Sequence, residues 1–208
     1  MRVYMVCGSL GRVSANRSAL SVAASALIAL GAEVDDDDAL GSIPPLAPDL
    51  VDAPGAAVAD FRRRIADADA VVIAAPEYAG SLGGAMKNAL DWVVGSGELY
   101  EKPVGIISAG TTGGPFARQV LARTLLWQGA RLVAQLGISA PRTKSDASGE
   151  ITDPATVAAI EALAHDIAAA MAASPADRDA ASIRVAASLG VRRDDDTAHI
   201  APSARFER

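Results

Sequence analysis

A polar turn follows the first apolar segment of the chain and has the composition of an anion-binding loop. After residues 2–7, Ser9 and Ser14 supply hydroxyl groups, Arg12 supplies a positive charge, and Asn16 supplies an amide. A segment with helical spacing begins there, and a helix N-terminus attracts phosphate through its free N–H groups and its dipole. The turn matches neither the dinucleotide fingerprint nor the P-loop. It suits a phosphate, although serine and asparagine are also common as plain helix caps.

Two further glycine-rich turns follow later apolar segments. One covers residues 76–84 (PEYAGSLGG) and the other covers residues 108–114 (SAGTTGG). Glycine lets a flat ligand approach the main chain closely, and Tyr78 could cover such a ligand. Either turn alone could equally be a loop with a helix cap. The three turns together predict a site for a long ligand with a phosphate tail and a planar head.

Short apolar segments alternate with amphipathic ones, and this alternation predicts the elements that position the turns. The predicted strands are 2–7, a weak edge strand starting at 33–34, 70–75, 104–109 and 131–138. The predicted helices are 16–30, 58–68, 83–94, 116–128 and 154–173. We expect an α/β fold, a flavodoxin-like three-layer sandwich with a five-stranded parallel sheet of order 2-1-3-4-5 and helices on both faces. Its ligand should lie beyond the carboxyl ends of the strands.

The rest of the chain is interpreted as loops and an extension. The acidic run Asp35–Asp38 and the proline-rich residues 41–54 are expected to be loops, with the acidic side chains solvated. Residues 1–173 would form one domain. Residues 174–208 would be either a poorly ordered extension or a short docking helix.

Composition narrows the classes of protein to consider. The chain has 208 residues, 50% hydrophobic and 21% charged, with a net charge of −6. An acidic chain is a poor nucleic-acid partner, because phosphate backbones are bound by basic patches. The single cysteine, Cys7, is expected in the core, and His165 and His199 leave little for a histidine metal centre, so we expect no metal site. Without a long apolar segment we expect no membrane span and a cytoplasmic location.

These same residues carry a family resemblance. The stretches 8–20 (GSLGRVSANRSAL), 71–93 (VVIAAPEYAGSLGGAMKNALDWV), 102–114 (KPVGIISAGTTGG) and 121–125 (LARTL) resemble the NAD(P)H-dependent FMN reductase family, which includes bacterial quinone and chromate reductases. The second stretch is the most specific. The resemblance covers about residues 1–172 and implies a flavodoxin-like fold, non-covalent FMN, and a homodimer or homotetramer with the flavin near the subunit interface.

The resemblance also implies three groups of cofactor contacts. The group around the FMN phosphate would comprise Ser9, Leu10, Ser14, Ala15 and Asn16. The group beside the isoalloxazine ring and ribityl chain would comprise Pro76, Glu77, Tyr78, Ala79 and Ser81. The group at the far edge of the ring would comprise Ala109, Gly110 and Thr111.

Three positions depart from the family pattern. Gly11 stands where the family usually has arginine, so Arg12 or the helix dipole would have to meet the phosphate charge. Ala79 replaces a usual asparagine and removes an amide near the flavin. Gly83 replaces a frequent proline.

The implied activity is that of an FMN-dependent oxidoreductase. It would pass hydride from NAD(P)H, the co-substrate, through bound FMN to a small acceptor such as free flavin or a quinone. No acid–base residue is expected to be essential: Tyr78 would be a lid, and Glu77 a structural residue bonded to an arginine such as Arg123 across an interface. Trp92 and Trp127 are expected at packing or interface positions.

Two other classes of protein remain to be compared with a reductase. A flavodoxin-type electron carrier without NAD(P)H turnover is the alternative, although the PEY and KNALDW segments argue against it. A phospho-signalling receiver has the same fold, but Ala74 and Ala75 stand where a receiver would need its aspartate.

Overall fold

The computed structural model describes residues 1–37 and 39–192. The strands are β1 (Arg2–Cys7), β2 (Glu33–Asp37), β3 (Ala70–Ala74), β4 (Glu77–Tyr78), β5 (Ser81–Leu82), β6 (Pro103–Gly110) and β7 (Arg131–Ser139). The helices are α1 (Ala15–Ala29), α2 (Ala56–Asp67), α3 (Gly84–Asp91), α4 (Pro115–Trp127), α5 (Pro154–Ala172) and α6 (Pro175–Ser188). Short 3₁₀ turns occupy Ala39–Ser42, Pro48–Leu50 and Pro141–Thr143.

Five of the strands form one parallel sheet in the order β2-β1-β3-β6-β7. β4 and β5 pair with each other in a separate antiparallel hairpin. With the hairpin set aside, the five sheet strands have the predicted order 2-1-3-4-5, and the predicted flavodoxin-like fold is confirmed.

Both faces of the sheet are covered, which explains the continuous apolar strands. On β1, Tyr4 and Val6 pack into the core beneath α2, α3 and α4, whereas Val3, Met5 and Cys7 pack beneath α1 and α5. Successive strand residues point to opposite faces, so a strand covered on both sides must be apolar throughout. Cys7 is 2% exposed, and its predicted place in the core is confirmed.

The prediction that the acidic run is a loop was wrong for Asp35, Asp36 and Asp37, because β2 extends through Asp37. Asp35 lies opposite Tyr4 of β1 in the parallel register. Its carboxylate accepts a hydrogen bond from Arg2 at 3.1 Å and also pairs with Arg64 of α2. Ion pairs with two arginines that are distant in sequence thus stabilise the acidic side chain of Asp35 on this edge strand. Asp38 lies outside the described residues.

The C-terminal extension contains helix α6, which covers the outer edge of β7. Ser182, fully buried on α6, accepts a hydrogen bond from the backbone N–H of Leu132 at 3.1 Å, and Arg131 pairs with Asp179. An unpaired N–H on an edge strand invites pairing with another chain, and α6 satisfies it internally. Of the two alternatives for this segment, the structure therefore has a helix over Pro175–Ser188. Residues 193–208, including His199, lie outside the described residues.

Helix α5 is the one helix in the described residues that is long and apolar enough to cross a membrane by length and composition alone. Its buried side chains include Ile160, Leu163 and Ile167, which pack into the core between the sheet and the helix pair α1 and α5. Glu161 and Asp166 lie exposed on the opposite side. This pattern is that of an alanine-rich helix packed on one face of a sheet.

Lys102 caps the C-terminal end of α2 with its side chain. Its Nζ donates to the carbonyl oxygens of Ile65, Ala66 and Ala68 at 2.7, 3.0 and 2.6 Å. The last carbonyls of a helix have no partner within the helix, and a cation there also interacts favourably with the dipole. Burial lowers the pKa of the Lys102 ammonium, a desolvation cost that these bonds offset.

Lys102→Met keeps the aliphatic stem and removes the ammonium, leaving three carbonyls without this donor. We expect the free energy of unfolding to fall by about 2–3 kcal/mol, as for lost hydrogen bonds to a charged group. Urea denaturation measures the change. The matched control is Lys87→Met, which removes only an exposed pair with Asp91 on α3 and should cost less than about 0.5 kcal/mol. Equal losses in the two variants would contradict the capping role.

Candidate functional site

The three predicted turns lie together at the carboxyl edge of the sheet, because β1, β3 and β6 are neighbours and parallel. The backbone N–H of Gly8 donates to Ala74 O at 2.7 Å, which holds the first turn against the end of β3. A Cβ atom at Gly8 would lie 3.2 Å from that same oxygen and from Ala75 Cα. Glycine therefore permits the close approach of the first turn to the second.

The head of α1 carries polar groups that no other group in the described residues satisfies. Ser14 is the N-cap of α1, yet its side chain accepts no hydrogen bond from the first turn of the helix. Ser9 is only 8% exposed, and its hydroxyl makes no recorded hydrogen bond within the described chain. Arg12 is exposed beside them. Hydroxyl groups, a nearby cation and the free N–H groups of a helix N-terminus are donors that can bind an anion, so this head of α1 is a candidate anion site.

Asn16 differs from the serines because its amide is already bonded. Its Nδ2 donates to Ala109 O at 3.0 Å, and its Oδ1 accepts from Ala109 N at 2.9 Å. Asn16 is 3% exposed and Ala109 is 6% exposed, so these bonds are buried. The side chain predicted to hold the phosphate thus joins α1 to the end of β6, and the N–H of Ala109 is occupied.

The second turn contains the β4–β5 hairpin, which the sequence interpretation missed. Ala79 and Gly80 form its two-residue loop with φ angles of +50° and +71°. Positive φ at both positions is the requirement of the two-residue hairpin turn whose twist matches its strands. The sequence did contain one signal of a hairpin, Gly80 between the short segments Glu77–Tyr78 and Ser81–Leu82. Alanine at the first loop position, Ala79, obscured that signal because alanine rarely adopts a positive φ. The hairpin leaves Tyr78 60% exposed and Ser81 exposed, while Pro76 is buried.

Gly83 supports the ring of Tyr78 from beneath. A Cβ atom there would lie 3.3 Å from Tyr78 Cδ2, so the aromatic ring rests close to the backbone. Gly83 has φ −60° and ψ 140°, a conformation that proline also adopts. The departure from the family's frequent proline therefore leaves the backbone path unchanged.

Glu77 caps helix α4. Its Oε2 accepts hydrogen bonds from the backbone N–H groups of Phe116 and Ala117 at 2.8 and 3.0 Å. A carboxylate at this position satisfies two unpaired donors and complements the helix dipole. Within the chain, Glu77 thus has a structural role at the start of α4. Its expected bond to an arginine such as Arg123 across an interface stays a prediction, and Arg123 is exposed further along the helix.

The third turn is fastened to the second by Ser108 and Gly114. The Ser108 hydroxyl donates to Ala75 O at 2.7 Å. Gly114 has φ +60°, and a Cβ atom there would fall 1.9 Å from Ser108 Oγ, so only glycine fits. Arg118 of α4 donates from Nε to Gly113 O at 3.1 Å and also bonds Gln135 of β7, while burial lowers the pKa of its guanidinium. Gly110 and the exposed Thr111 lie on the solvent side of this turn.

The other residues singled out from the sequence lie outside the three turns. Trp92 is fully buried, and its Nε1 donates to Pro44 O at 2.7 Å, so it is a packing residue. Trp127 is 54% exposed at the end of α4. His165 is exposed on α5. In the described residues, no group of three or more histidine, cysteine or acidic side chains could hold a metal ion.

A doubly wound parallel sheet with this strand order and helices on both faces defines the flavodoxin-like class of α/β proteins. Within this class, the family model for NADPH-dependent FMN reductase matches residues 1–145. The chain belongs to that family.

Curated relatives agree with this assignment. An NAD(P)H-dependent FMN reductase from Pseudomonas aeruginosa is 34% identical over 161 residues, which are 74% of this chain and 85% of that protein. The 2-hydroxy-1,4-benzoquinone reductase from a Burkholderia species is 34% identical over 164 residues, 75% of this chain and 88% of that protein. A probable NADPH:quinone oxidoreductase 1 from Oryza sativa subsp. japonica is 39% identical over 116 residues, 53% of this chain, and the chain spans only 58% of its length.

A solved structure gives the same picture. The flavoenzyme NAD(P)H:(acceptor) oxidoreductase FerB from Paracoccus denitrificans superposes with a TM-score of 0.67 at 27% identity. The match covers 81% of this chain and 95% of FerB.

The hairpin loop provides a test of the local backbone. Ala79→Gly should raise the free energy of unfolding by about 1 kcal/mol, because a positive φ is costly for a residue with a Cβ atom and free for glycine. The matched control is Ala162→Gly at an exposed position within α5, where glycine should lower the stability by about 1 kcal/mol. Denaturant titrations of both variants measure the changes. A loss of stability in Ala79→Gly would show that the loop does not hold this conformation.

Proposed function

We propose that the chain is an FMN-dependent oxidoreductase that transfers electrons from NAD(P)H to a small acceptor such as a quinone or free flavin. The observation that carries the proposal is the head of α1, which has no side-chain cap and lies beside the hydroxyl groups of Ser9 and Ser14. Family membership and the relatives named as FMN and quinone reductases support the same activity. Those names favour an enzyme over a flavodoxin-type electron carrier.

The proposal assigns the phosphate end of FMN to the first turn. Ser9 and Ser14 would donate their hydroxyl groups, and the main-chain N–H groups of Leu10 and Ala15 would complete the cradle. Arg12, exposed at the rim, would add a positive charge in place of the arginine missing at Gly11. Hydrogen bonds from hydroxyl and N–H groups to a charged phosphate are stronger than those between neutral groups.

The proposal assigns the ring of FMN to the crevice between the second and third turns. Pro76 and Tyr78 would border one side, with Glu77, Ala79 and Ser81 shaping the hairpin that carries Tyr78. Because Asn16 occupies the N–H of Ala109 and the ladder with β7 engages Gly110, the N–H of Thr111 is the candidate for a bond to the ring's far edge. Such donors stabilise negative charge that develops during reduction.

When bound, FMN supplies the redox chemistry, taking two electrons from NAD(P)H and delivering them to the acceptor. The residues around it would bind and orient rather than transfer protons. Tyr78 would cover the ring and move to admit nucleotide or acceptor. Glu77 would hold the start of α4 in place through its two backbone bonds.

We also propose that two copies of the chain associate through helix α4. Phe116 and Trp127, at its two ends, are 56% and 54% exposed. Trp127 lines a groove of about 600 Å³ with Tyr100 and Gln128, and Gln128 Oε1 is buried with no hydrogen-bond partner among the described residues. An antiparallel contact between two α4 helices would bring the Trp127 end of one copy beside the Phe116 end of the other. The crevice would then lie near the subunit interface, in a homodimer or as part of a homotetramer.

We propose a cytoplasmic location and small-molecule partners. The net charge of −6 supports the absence of a nucleic-acid partner, since such binding depends on basic patches. No feature of the site distinguishes NADH from NADPH.

The activity is tested by titrating the purified protein with FMN and then assaying turnover of NADH and NADPH with a quinone and with free flavin. We expect a yellow protein with an absorbance band at roughly 450 nm and nucleotide oxidation that depends on FMN. A protein that stays colourless in saturating FMN would overturn the proposal. FMN binding without nucleotide oxidation would identify an electron carrier instead.

A variant of Tyr78 tested in the same assay distinguishes two roles, covering the flavin with the aromatic ring and taking part in the reaction through the hydroxyl. Tyr78→Phe keeps the aromatic ring and loses the hydroxyl, so turnover should stay within about tenfold of the unaltered protein, the scale of one hydrogen bond. A thousand-fold loss would show that the hydroxyl takes part in the reaction.

The association is tested by light scattering. The unaltered protein should scatter as a dimer or tetramer and Trp127→Glu as a monomer, because a charge at the centre of an apolar contact is costly to bury. Ile183→Glu, which alters an equally exposed apolar residue on α6, is the matched control and should leave the size unchanged. A monomeric unaltered protein would contradict the proposal.

A further inference from the structure

Asn16 and Ala109 form the only direct bonds recorded between the first and third turns within the described residues. The two residues are 93 positions apart, and their bonds run in both directions between one side-chain amide and one peptide unit. In the sheet, β3 lies between β1 and β6, so the amide spans the end of a whole strand. The other ties, Gly8 to Ala74 and Ser108 to Ala75, each join one outer turn to β3 alone.

A paired amide has a fixed geometry. Because both ends of the Asn16 amide bond the same residue, the plane of the amide is aligned with the Ala109 backbone. The head of α1, which begins at Ala15, therefore cannot move relative to the end of β6 without breaking both bonds. Buried as they are, these groups have no water to replace the lost partners.

The same bonds restrict what Asn16 can offer an anion. Its Oδ1 is an acceptor and is engaged, and one of the two Nδ2 hydrogens is engaged as well. Ser9 and Ser14, by contrast, keep their whole hydroxyl groups for a ligand. The sequence grouped Ser9, Ser14 and Asn16 together as phosphate contacts. In the structure the two serine hydroxyls are available to a ligand, whereas the Asn16 amide is mostly engaged with Ala109.

We propose that Asn16 is a positioning residue that sets the separation of the phosphate-binding turn and the ring-edge turn, and that it is not a ligand of the phosphate. The inference rests on the proposed FMN site and deepens it. Asn16 governs binding of the ring as much as binding of the phosphate. Ser14, at the neighbouring cap position, governs binding of the phosphate alone.

The distinction is tested with two ligands, FMN and riboflavin, which share the ring and ribityl chain and differ in the phosphate. Dissociation constants are measured by flavin fluorescence for the unaltered protein, Asn16→Ser and Ser14→Ala. Asn16→Ser should weaken both ligands by the same factor, at least about tenfold, which is the scale of losing a buried hydrogen-bonded pair. Ser14→Ala, the matched control, should weaken FMN by about tenfold and leave riboflavin within about twofold.

A loss in Asn16→Ser confined to FMN would overturn the inference, because it would make Asn16 a phosphate ligand. Unchanged binding of both ligands would overturn it as well. An unaltered protein that binds neither flavin is a separate result, since it refutes the proposed FMN site and with it this role of Asn16.

A second measurement needs no flavin. Hydrogen exchange of the Ala109 amide should be slow in the unaltered, flavin-free protein and at least about tenfold faster in Asn16→Ser, in proportion to the local opening that the lost bond permits. The amides of β1 serve as the internal control for global unfolding and should keep their protection. Equal protection of Ala109 in the two proteins would show that the tie does not hold the turns together.

Discussion

The geometry of the site depends on one constraint: the peptide groups at the ends of β3 and β6 are buried and must find partners where the sheet stops. Ser108 satisfies the carbonyl of Ala75, and Asn16 satisfies both polar groups of Ala109. Because side chains and not solvent make these bonds, they also fix the distances between the turns. The lack of a Cβ atom at Gly114 follows from the same packing, since Ser108 Oγ occupies that space.

Two helices, α1 and α4, begin at this edge of the sheet. Only α4 has a side-chain cap at its N-terminus, and this difference makes the two ends of the crevice electrostatically unlike. The start of α4 already holds a carboxylate, because Glu77 accepts from Phe116 and Ala117. The start of α1 has no side-chain cap. A second anion beside Glu77 would meet an occupied helix end and a like charge, whereas one beside Ser14 meets free donors and a positive dipole. A ligand with one charged end and one neutral end can therefore enter in one orientation only.

The sequence predicted the fold well because the fold rests on local patterns. Apolar segments such as residues 70–75, followed by glycine-rich turns, locate the central strands within a residue or two of their observed bounds. The errors fall where a partner lies far along the chain. Asp35 resembles a solvated loop residue until Arg64 of α2 is placed against it. In the same way, no residue near Asn16 in the sequence indicates that its amide bonds Ala109. Residue type indicates what a side chain can bond, whereas only the fold determines which partner reaches it first.

The same reasoning bears on the missing arginine at Gly11. Arg118, a half-buried cation beside the third turn, is engaged with Gly113 and Gln135 and supports the backbone there. Positive potential at the first turn is supplied by the dipole of α1 and by the exposed Arg12, and Arg142 lines a pocket with Val13 and Ala15 beside it. A charge in solvent is screened by salt, while the N–H groups at the head of α1 act at contact distance and are screened little. At the proposed site, the affinity for a phosphate would therefore depend mainly on hydrogen bonds at the head of α1, and on how firmly Asn16 holds that head in place.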